Sequence, residues 1–242
     1  FEPGAVGNVT EGDMLVDPAD RVGGRFGHSV GIGGDIIVVG AVYGADEDAG
    51  AAFIFTKQDN GSYANPIRLT LEDSQQQDHF GSSVASDGEL VFIGRSFESS
   101  DDAREGEVHV YQRNAANAWV STQVLRSAPQ RAGSRFGKSM ALSGTILVVG
   151  APAEDSRGAV YVFERNADGQ WIQTQRQMSD TGNNWDDFGY AVDIEGDRII
   201  VGASSFDGGN IDTGAAFVFE RGPDGQFGQT RMLLANDAQG GD

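Results

Sequence analysis

The chain has 242 residues, 39% of them apolar, and a formal net charge of -19. So much negative charge excludes nucleic acid and other polyanions as partners, and no apolar run approaches the roughly 20 residues of a membrane-spanning helix, so no membrane insertion is expected. The sequence has no cysteine and 35 glycines, which excludes disulfides and thiolate metal sites and indicates many tight turns.

In chain order, residues 1–13 are predicted to be a flexible lead-in. An internal repeat of roughly 54 residues follows, and internal repeats decide a fold before single elements do. Its first landmark is a Phe-Gly pair, found at Phe26-Gly27, Phe80-Gly81, Phe136-Gly137 and Phe188-Gly189. A glycine ends an apolar run 14 residues after each phenylalanine, at Gly40, Gly94, Gly150 and Gly202. A second glycine opens the next run, at Gly50, Gly106, Gly158 and Gly214.

Each repeat is predicted to hold four short strands, because its apolar runs are strand-length and separated by turn dipeptides such as Asp87-Gly88 and Asn60-Gly61. Four antiparallel strands per repeat, without a helical period, predict an all-β fold, a β-propeller of four-stranded blades. The propeller is expected to cover residues 14–242, with repeats at about 26–79, 80–135, 136–187 and 188–242. Met14 to Val16 are predicted as an extra strand, the fourth of a blade that lacks its first three.

These landmarks resemble the FG-GAP repeats of integrin α-subunit heads and of many bacterial surface proteins, in their short bacterial form. The Gly-Ala-Pro element that names the family is complete in the third copy, at Gly150 to Pro152. The resemblance covers about residues 14–242. It implies an extracellular or cell-surface protein with a role in binding or adhesion, and a propeller that usually closes with seven blades.

The resemblance also implies calcium, which integrin-like propellers commonly hold in the loop between the first and second strands. Here those loops are short turns, such as Gly33-Gly34 and Glu195-Gly196, without the several oxygen ligands that calcium needs. The usual calcium site is therefore predicted to be absent. Calcium stays a candidate through the acidic loops, with Asp46, Asp48, Asp207 and Asp212 as candidate ligands.

One face of the propeller is expected to carry most of the acidity. Length varies only between the second and third strands of each repeat, and those loops emerge beside the loops that enter each Phe-Gly. Variable loops on a rigid scaffold are common recognition sites, so we expect this face to bind a protein, peptide or glycan. The candidate residues are Tyr43, Asp46, Asp48, Phe97, Asp101, Asp102, Glu154, Asp155, Trp185, Asp186, Phe206, Asp207 and Asp212.

Two simpler interpretations compete with a binding face. The acidic loops could serve only to solvate the rim, and the loop aromatic residues could pack inward as anchors.

Catalysis is not expected. His28 fills a position that varies between repeats, His109 alternates within a strand, and neither accompanies a recognisable nucleophile. An enzyme acting on polysaccharide through paired carboxylates such as Asp186-Asp187 is the least favoured function.

A structural unit of a surface layer or filament is the second hypothesis, because the sequence ends on a run that leads into each earlier Phe-Gly. We therefore expect a longer repeat protein, with blade edges available for self-association.

Overall fold

The computed structural model describes residues 14–17, 23–43, 49–73, 77–97, 104–181, 185–207 and 213–235. Within them the predicted all-β propeller fold is confirmed: four sheets of four strands each, with a single 3₁₀ turn at Glu154–Ser156. Among the described residues no helix is long and apolar enough to cross a membrane.

Each blade is one sheet whose strands follow one another in sequence. Blade 1 holds β1 (Phe26–Gly33), β2 (Ile36–Ala41), β3 (Ala51–Thr56) and β4 (Ile67–Leu69). Blade 2 holds β5 (Phe80–Ser86), β6 (Leu90–Arg95), β7 (Glu107–Arg113) and β8 (Trp119–Leu125). Blade 3 holds β9 (Ser139–Ser143), β10 (Ile146–Ala151), β11 (Ala159–Arg165) and β12 (Trp171–Gln177). Blade 4 holds β13 (Phe188–Glu195), β14 (Arg198–Ala203), β15 (Ala215–Arg221) and β16 (Phe227–Leu233).

Neighbouring strands within a blade are antiparallel throughout, so the connections alternate between two ends of the sheet. The first-to-second and third-to-fourth connections form the short-turn face. The second-to-third connections and the loops between blades form the opposite, long-loop face. The third-to-fourth turns need a left-handed residue, supplied by Gly61, Gly169 and Gly225 and, in blade 2, by Asn117 with φ 61°.

Packing between blades supplies the core. Three apolar clusters lie between successive blades, and each combines the second and third strands of one blade with the phenylalanine of the next Phe-Gly. That phenylalanine also meets aromatic rings of its own third strand edge-on, as Phe136 meets Tyr161 at 5.4 Å between ring centroids. Edge-on aromatic pairs add to the burial of large apolar side chains, so the Phe-Gly landmark is the centre of each blade-to-blade joint.

The four blades form an arc. Blades 1 to 4 pack in sequence, but no extended strand contact joins blade 4 to blade 1 in the described part of the chain. No described blade covers the side of β1 that faces away from blade 2. Val30 and Ile32 of β1 are consequently 70% and 71% exposed.

The predicted extra strand differs from the expectation. Residues 14–17 have no strand structure, because the described chain provides no neighbouring strand to pair with them. Leu15 nevertheless packs on the face of blade 1 that points away from blade 2, against a cluster that includes Val39 and Phe53.

Candidate functional site

The long-loop face carries the candidate residues, and part of it lies within the described chain. Tyr43, Phe97, Glu154, Asp155, Trp185, Asp186, Phe206 and Asp207 are described. Asp46, Asp48, Asp101, Asp102 and Asp212 lie outside the described residues.

The candidate aromatic residues of this face take different positions. Phe206 is buried in the joint between blades 3 and 4, where its ring meets Phe217 at 5.6 Å. Phe97 is also buried, so both residues match the interpretation of an inward-packed loop anchor. Tyr43 is half-buried beneath the guanidinium of Arg25. Trp185 stands apart at 73% exposure, and an exposed indole is suited to contact a ligand.

The candidate acidic residues are mostly engaged within the protein. Glu154 is fully buried, accepts a hydrogen bond from the Tyr161 hydroxyl at 2.5 Å and pairs with Arg176 at 2.5 Å. Burial and then Glu154 raise the pKa of Tyr161 to about 12. Asp155 also faces Arg176, at 3.4 Å. This group stabilises the loop of blade 3. It buries the Glu154 carboxylate completely, whereas the Asp155 side chain stays 46% exposed.

Two further candidate carboxylates, Asp186 and Asp207, belong to blade 4, and Asp187 follows Asp186 in the sequence. Asp186 is buried, and its backbone carbonyl accepts the N–H of Ser205 at 3.3 Å. Asp187 accepts the Ser205 hydroxyl at 3.3 Å. Asp207 is exposed.

The residues present do not fit the calcium site that the family implies. In each blade only two or three residues separate the first strand from the second, too few to supply several oxygen ligands. Within the described ranges no group of three or more acidic or histidine side chains is placed to hold a metal ion. Asp46, Asp48 and Asp212 lie outside those ranges, so calcium at the acidic loops stays a prediction.

Blade 2 contains a charged cluster that the sequence analysis did not single out. Arg95 and Glu107 occupy two positions at which the other three blades have alanine. His109 occupies a position at which they have phenylalanine or tyrosine. The equivalent residues are Ala41, Ala151 and Ala203 for Arg95, Ala51, Ala159 and Ala215 for Glu107, and Phe53, Tyr161 and Phe217 for His109. Aligning the four repeats and asking which blade departs from the others would have revealed it.

The cluster is compact and internally paired. The Arg95 side chain is 5% exposed, and it donates to Asp78 through Nε at 3.1 Å and to Glu107 at 3.0 Å. Glu107 also accepts Arg126 at 2.6 Å and contacts His109 Nε2 at 2.9 Å. Burial alone would raise the pKa of Glu107, but His109, Arg126 and Arg95 outweigh it and lower the pKa to about 2. The cluster therefore holds Glu107 as a carboxylate.

A cleft of about 440 Å³ opens over this cluster on the long-loop face. Phe97 forms part of its wall, and the guanidinium groups of Arg95 and Arg104 lie 4.8 and 4.1 Å from the centre of that ring. The side chains of Arg104 and Arg126 are 34% and 52% exposed. The lining residues are Asp73, Arg95, Phe97, Arg104, Glu105, Gly106, Glu107, Arg126 and Gln130. The cleft thus offers accessible guanidinium donors beside carboxylates, a set that suits a polar ligand carrying both charges.

Four-stranded blades packed through Phe-Gly joints define the class of protein, a β-propeller. The FG-GAP repeat family model matches residues 15–55, 65–111, 119–163 and 171–219, and the chain belongs to that family. The second, third and fourth matches each begin near the outer strand of one blade and end in the third strand of the next, so the sequence repeat spans a joint. No curated protein matches the chain.

The solved structures that share the fold include the following two. A protein from Lactobacillus plantarum, solved by a structural genomics consortium, is 14% identical with a TM-score of 0.52 over 88% of this chain. A protein from Bacteroides uniformis, described as a "putative 6-phosphogluconolactonase", is 14% identical with a TM-score of 0.53 over 87% of this chain. The chain spans 57% and 55% of their lengths. At such identity the likeness shows the fold alone.

Proposed function

We propose that the chain is a non-catalytic binding module that works outside the cell or at its surface, and that its long-loop face takes a protein or peptide ligand with the blade 2 cleft as anchor. The observation that carries the proposal is the break in repeat symmetry in blade 2. Three positions that hold small or aromatic residues elsewhere hold Arg95, Glu107 and His109 there.

Burying charges is expensive, and apolar residues of similar size usually pack at least as stably. The three other blades demonstrate that the repeat folds with alanine and aromatic residues at these positions. A role for the exposed parts of the cluster explains why blade 2 departs, and Arg104 and Arg126 are the side chains that a ligand can reach. Arginine is also enriched at the energetic centres of protein interfaces.

The experiment is a binding screen of the labelled chain against immobilised matrix proteins, peptides and a glycan array, with and without calcium. We expect a protein or peptide ligand whose affinity falls about tenfold in Arg126→Ala, since truncating a central arginine commonly costs more than 1 kcal/mol. Glu107 keeps Arg95 and His109 in this variant, so the fold is retained.

The matched control is Arg198→Ala on the short-turn face, where the side chain is 71% exposed. An equal loss of affinity in both variants would contradict the assignment of the face. If the chain binds only glycans, the ligand class proposed here is wrong. If the screen finds no ligand, the proposal is wrong. Thermal unfolding with and without calcium tests separately whether the acidic loops bind the ion.

A further inference from the structure

A basic side chain stands at the end of the third strand of every blade, on the short-turn face. These residues are Lys57, Arg113, Arg165 and Arg221 in blades 1 to 4. In the joint between blades 3 and 4, Arg221 donates from Nη2 to both carboxylate oxygens of Glu164, at 2.9 Å. The positive charge at this joint is therefore compensated within the protein, by a residue of the preceding blade.

The joint between blades 1 and 2 lacks that carboxylate. Thr56 of blade 1 occupies the repeat position of Glu164. Its hydroxyl oxygen is two carbon atoms nearer to the backbone than a glutamate carboxylate, and it carries no charge. Arg113 donates to Thr56 Oγ1 at 2.9 Å and to Asn117 Oδ1 at 3.2 Å. In the part of the chain that the structure describes, the Arg113 guanidinium forms no ion pair.

Arg113 also lacks an acceptor that its counterparts have. The Nε of Arg165 donates to the carbonyl of Gly169 at 3.4 Å, and the Nε of Arg221 donates to the carbonyl of Gly225 at 2.9 Å. The Nε of Arg113 is buried without a partner, and an unsatisfied buried donor is costly. A carboxylate from outside the chain, at the place that Glu164 fills in the other joint, would restore the missing charge pair.

A cleft of about 630 Å³ opens at this position, between blades 1 and 2 and lined by Thr56 and Arg113. Its volume is within the range of small-ligand sites, about 300 to 1,000 Å³. Three further charged side chains line it, Asp35, Lys57 and Glu89, and all three are exposed. Among the described residues none of the three forms an ion pair. The cleft therefore presents two cationic and two acidic groups without partners.

We propose that this cleft binds a zwitterion of the amino acid or short-peptide class. The ligand carboxylate pairs with Arg113, beside Lys57, and the ligand ammonium group faces Asp35 and Glu89. The net charge of -19 disfavours polyanionic ligands, but it does not repel a ligand whose own charges cancel. This site lies on the short-turn face and is separate from the binding function proposed for the long-loop face.

Isothermal titration calorimetry of the whole chain tests the proposal with two sets of probes, the standard free amino acids and the di- and tripeptides of alanine. We expect at least one probe to bind, with one ligand per chain. Binding of a free amino acid would assign a small-molecule ligand, and binding of the peptides alone would assign a short peptide. Both results support the proposal, and the absence of binding by every probe would overturn it.

Two variants test the assigned residues. Thr56→Glu supplies from within the chain the carboxylate that Glu164 provides in the other joint, and Arg113→Gln removes the guanidinium. Each should weaken binding more than about tenfold. The matched control is Arg165→Gln, at the same repeat position in blade 3, which should leave the affinity unchanged. Equal losses in Arg165→Gln and Arg113→Gln, or full affinity in Thr56→Glu, would overturn the proposal. Thermal unfolding of each variant confirms that it is folded.

The two charges of the ligand are tested separately. The amide form of the bound probe lacks the carboxylate, and its N-acetyl form lacks the ammonium group. Both should bind more than about tenfold more weakly than the parent probe, because each loses one of its two charged contacts. Undiminished binding of either form would contradict the assignment of a zwitterion.

Discussion

Blades 2 and 4 are two copies of the same repeat. They differ at the face that, in blade 2, is covered by blade 3. In blade 2 a Cβ built on Gly94 would be 2.2 Å from the Gly137 carbonyl of blade 3. In blade 4, the described residues within 4 Å of a Cβ at the equivalent Gly202 all belong to its own blade. The backbone of the two positions is the same extended strand, so the requirement for glycine comes mainly from the neighbouring blade. The Ser83 hydroxyl of blade 2, 2.6 Å from the same Cβ, adds to it, and blade 4 has Ala191 there.

The two blades differ again on the long-loop face. Blade 2 has Arg95 and Glu107 where blade 4 has Ala203 and Ala215, and the alanines pack without charge. The difference shows that two separate constraints act on the repeat. The landmark glycines are required by the packing between blades, whereas positions on the long-loop face vary between blades without a change of fold.

The largest expected effect is that of Arg95→Ala in blade 2. Removing this guanidinium leaves Asp78 and Glu107 with less compensation in a buried setting, and breaking a buried ion pair costs about 3 to 5 kcal/mol. We expect a loss of that size in the free energy of unfolding, measured by urea titration. Arg198→Ala in blade 4, at a 71% exposed side chain, is the control and should change stability by less than about 0.5 kcal/mol. Similar losses in both variants would remove the distinction between the blades.

The second prediction concerns acid stability. The pKa of Glu107 is lowered from 4.5 to about 2, so the folded protein binds this proton less tightly than the unfolded chain does. The resulting stabilisation is present above pH 4.5 and is lost as the pH falls toward 2. Glu107→Gln lacks this contribution, so the difference in unfolding free energy between wild type and variant should shrink over that interval. A difference that stays constant would show that the cluster does not hold a carboxylate there.

A smaller effect is expected from Ser83→Ala, which removes the hydroxyl that blade 2 donates to the Gly137 carbonyl at 2.6 Å. Ser82 keeps a longer contact of 3.2 Å to the same oxygen, so the loss should be about 1 kcal/mol or less. The reverse change in blade 4, Ala191→Ser, should leave the stability of dilute protein unchanged. Stabilisation by that change would mean that Gly202 is already covered as Gly94 is.

Much of the fold was predictable because its constraints are local and repeated four times. The blades could be predicted from the Phe-Gly pairs, the turn dipeptides and the strand-length apolar runs. The long-loop face could be predicted because successive connections alternate between the two ends of an antiparallel sheet. Blade 2 lacks a glycine in its third-to-fourth turn, and Asn117 takes the left-handed conformation there, as asparagine can.

The candidate site was less predictable because burial and pairing of a loop residue depend on distant parts of the chain. Phe97 and Phe206 have the loop position of a contact residue, yet they pack inward. Glu154 is buried because Arg176, 22 residues later, reaches it from the outer strand. The blade 2 cluster was visible in the sequence only as an imperfect repeat, at Gly94-Arg95-Ser96.

The most direct test of the central claim, that the landmark glycines serve the blade joints, compares Gly94→Ala with Gly202→Ala in dilute protein. The account predicts a loss of about 1 to 3 kcal/mol in the unfolding free energy for Gly94→Ala, because the methyl must displace the Gly137 carbonyl of the next blade as well as the Ser83 hydroxyl. It predicts a change of less than about 0.5 kcal/mol for Gly202→Ala. Equal losses in the two variants would contradict it.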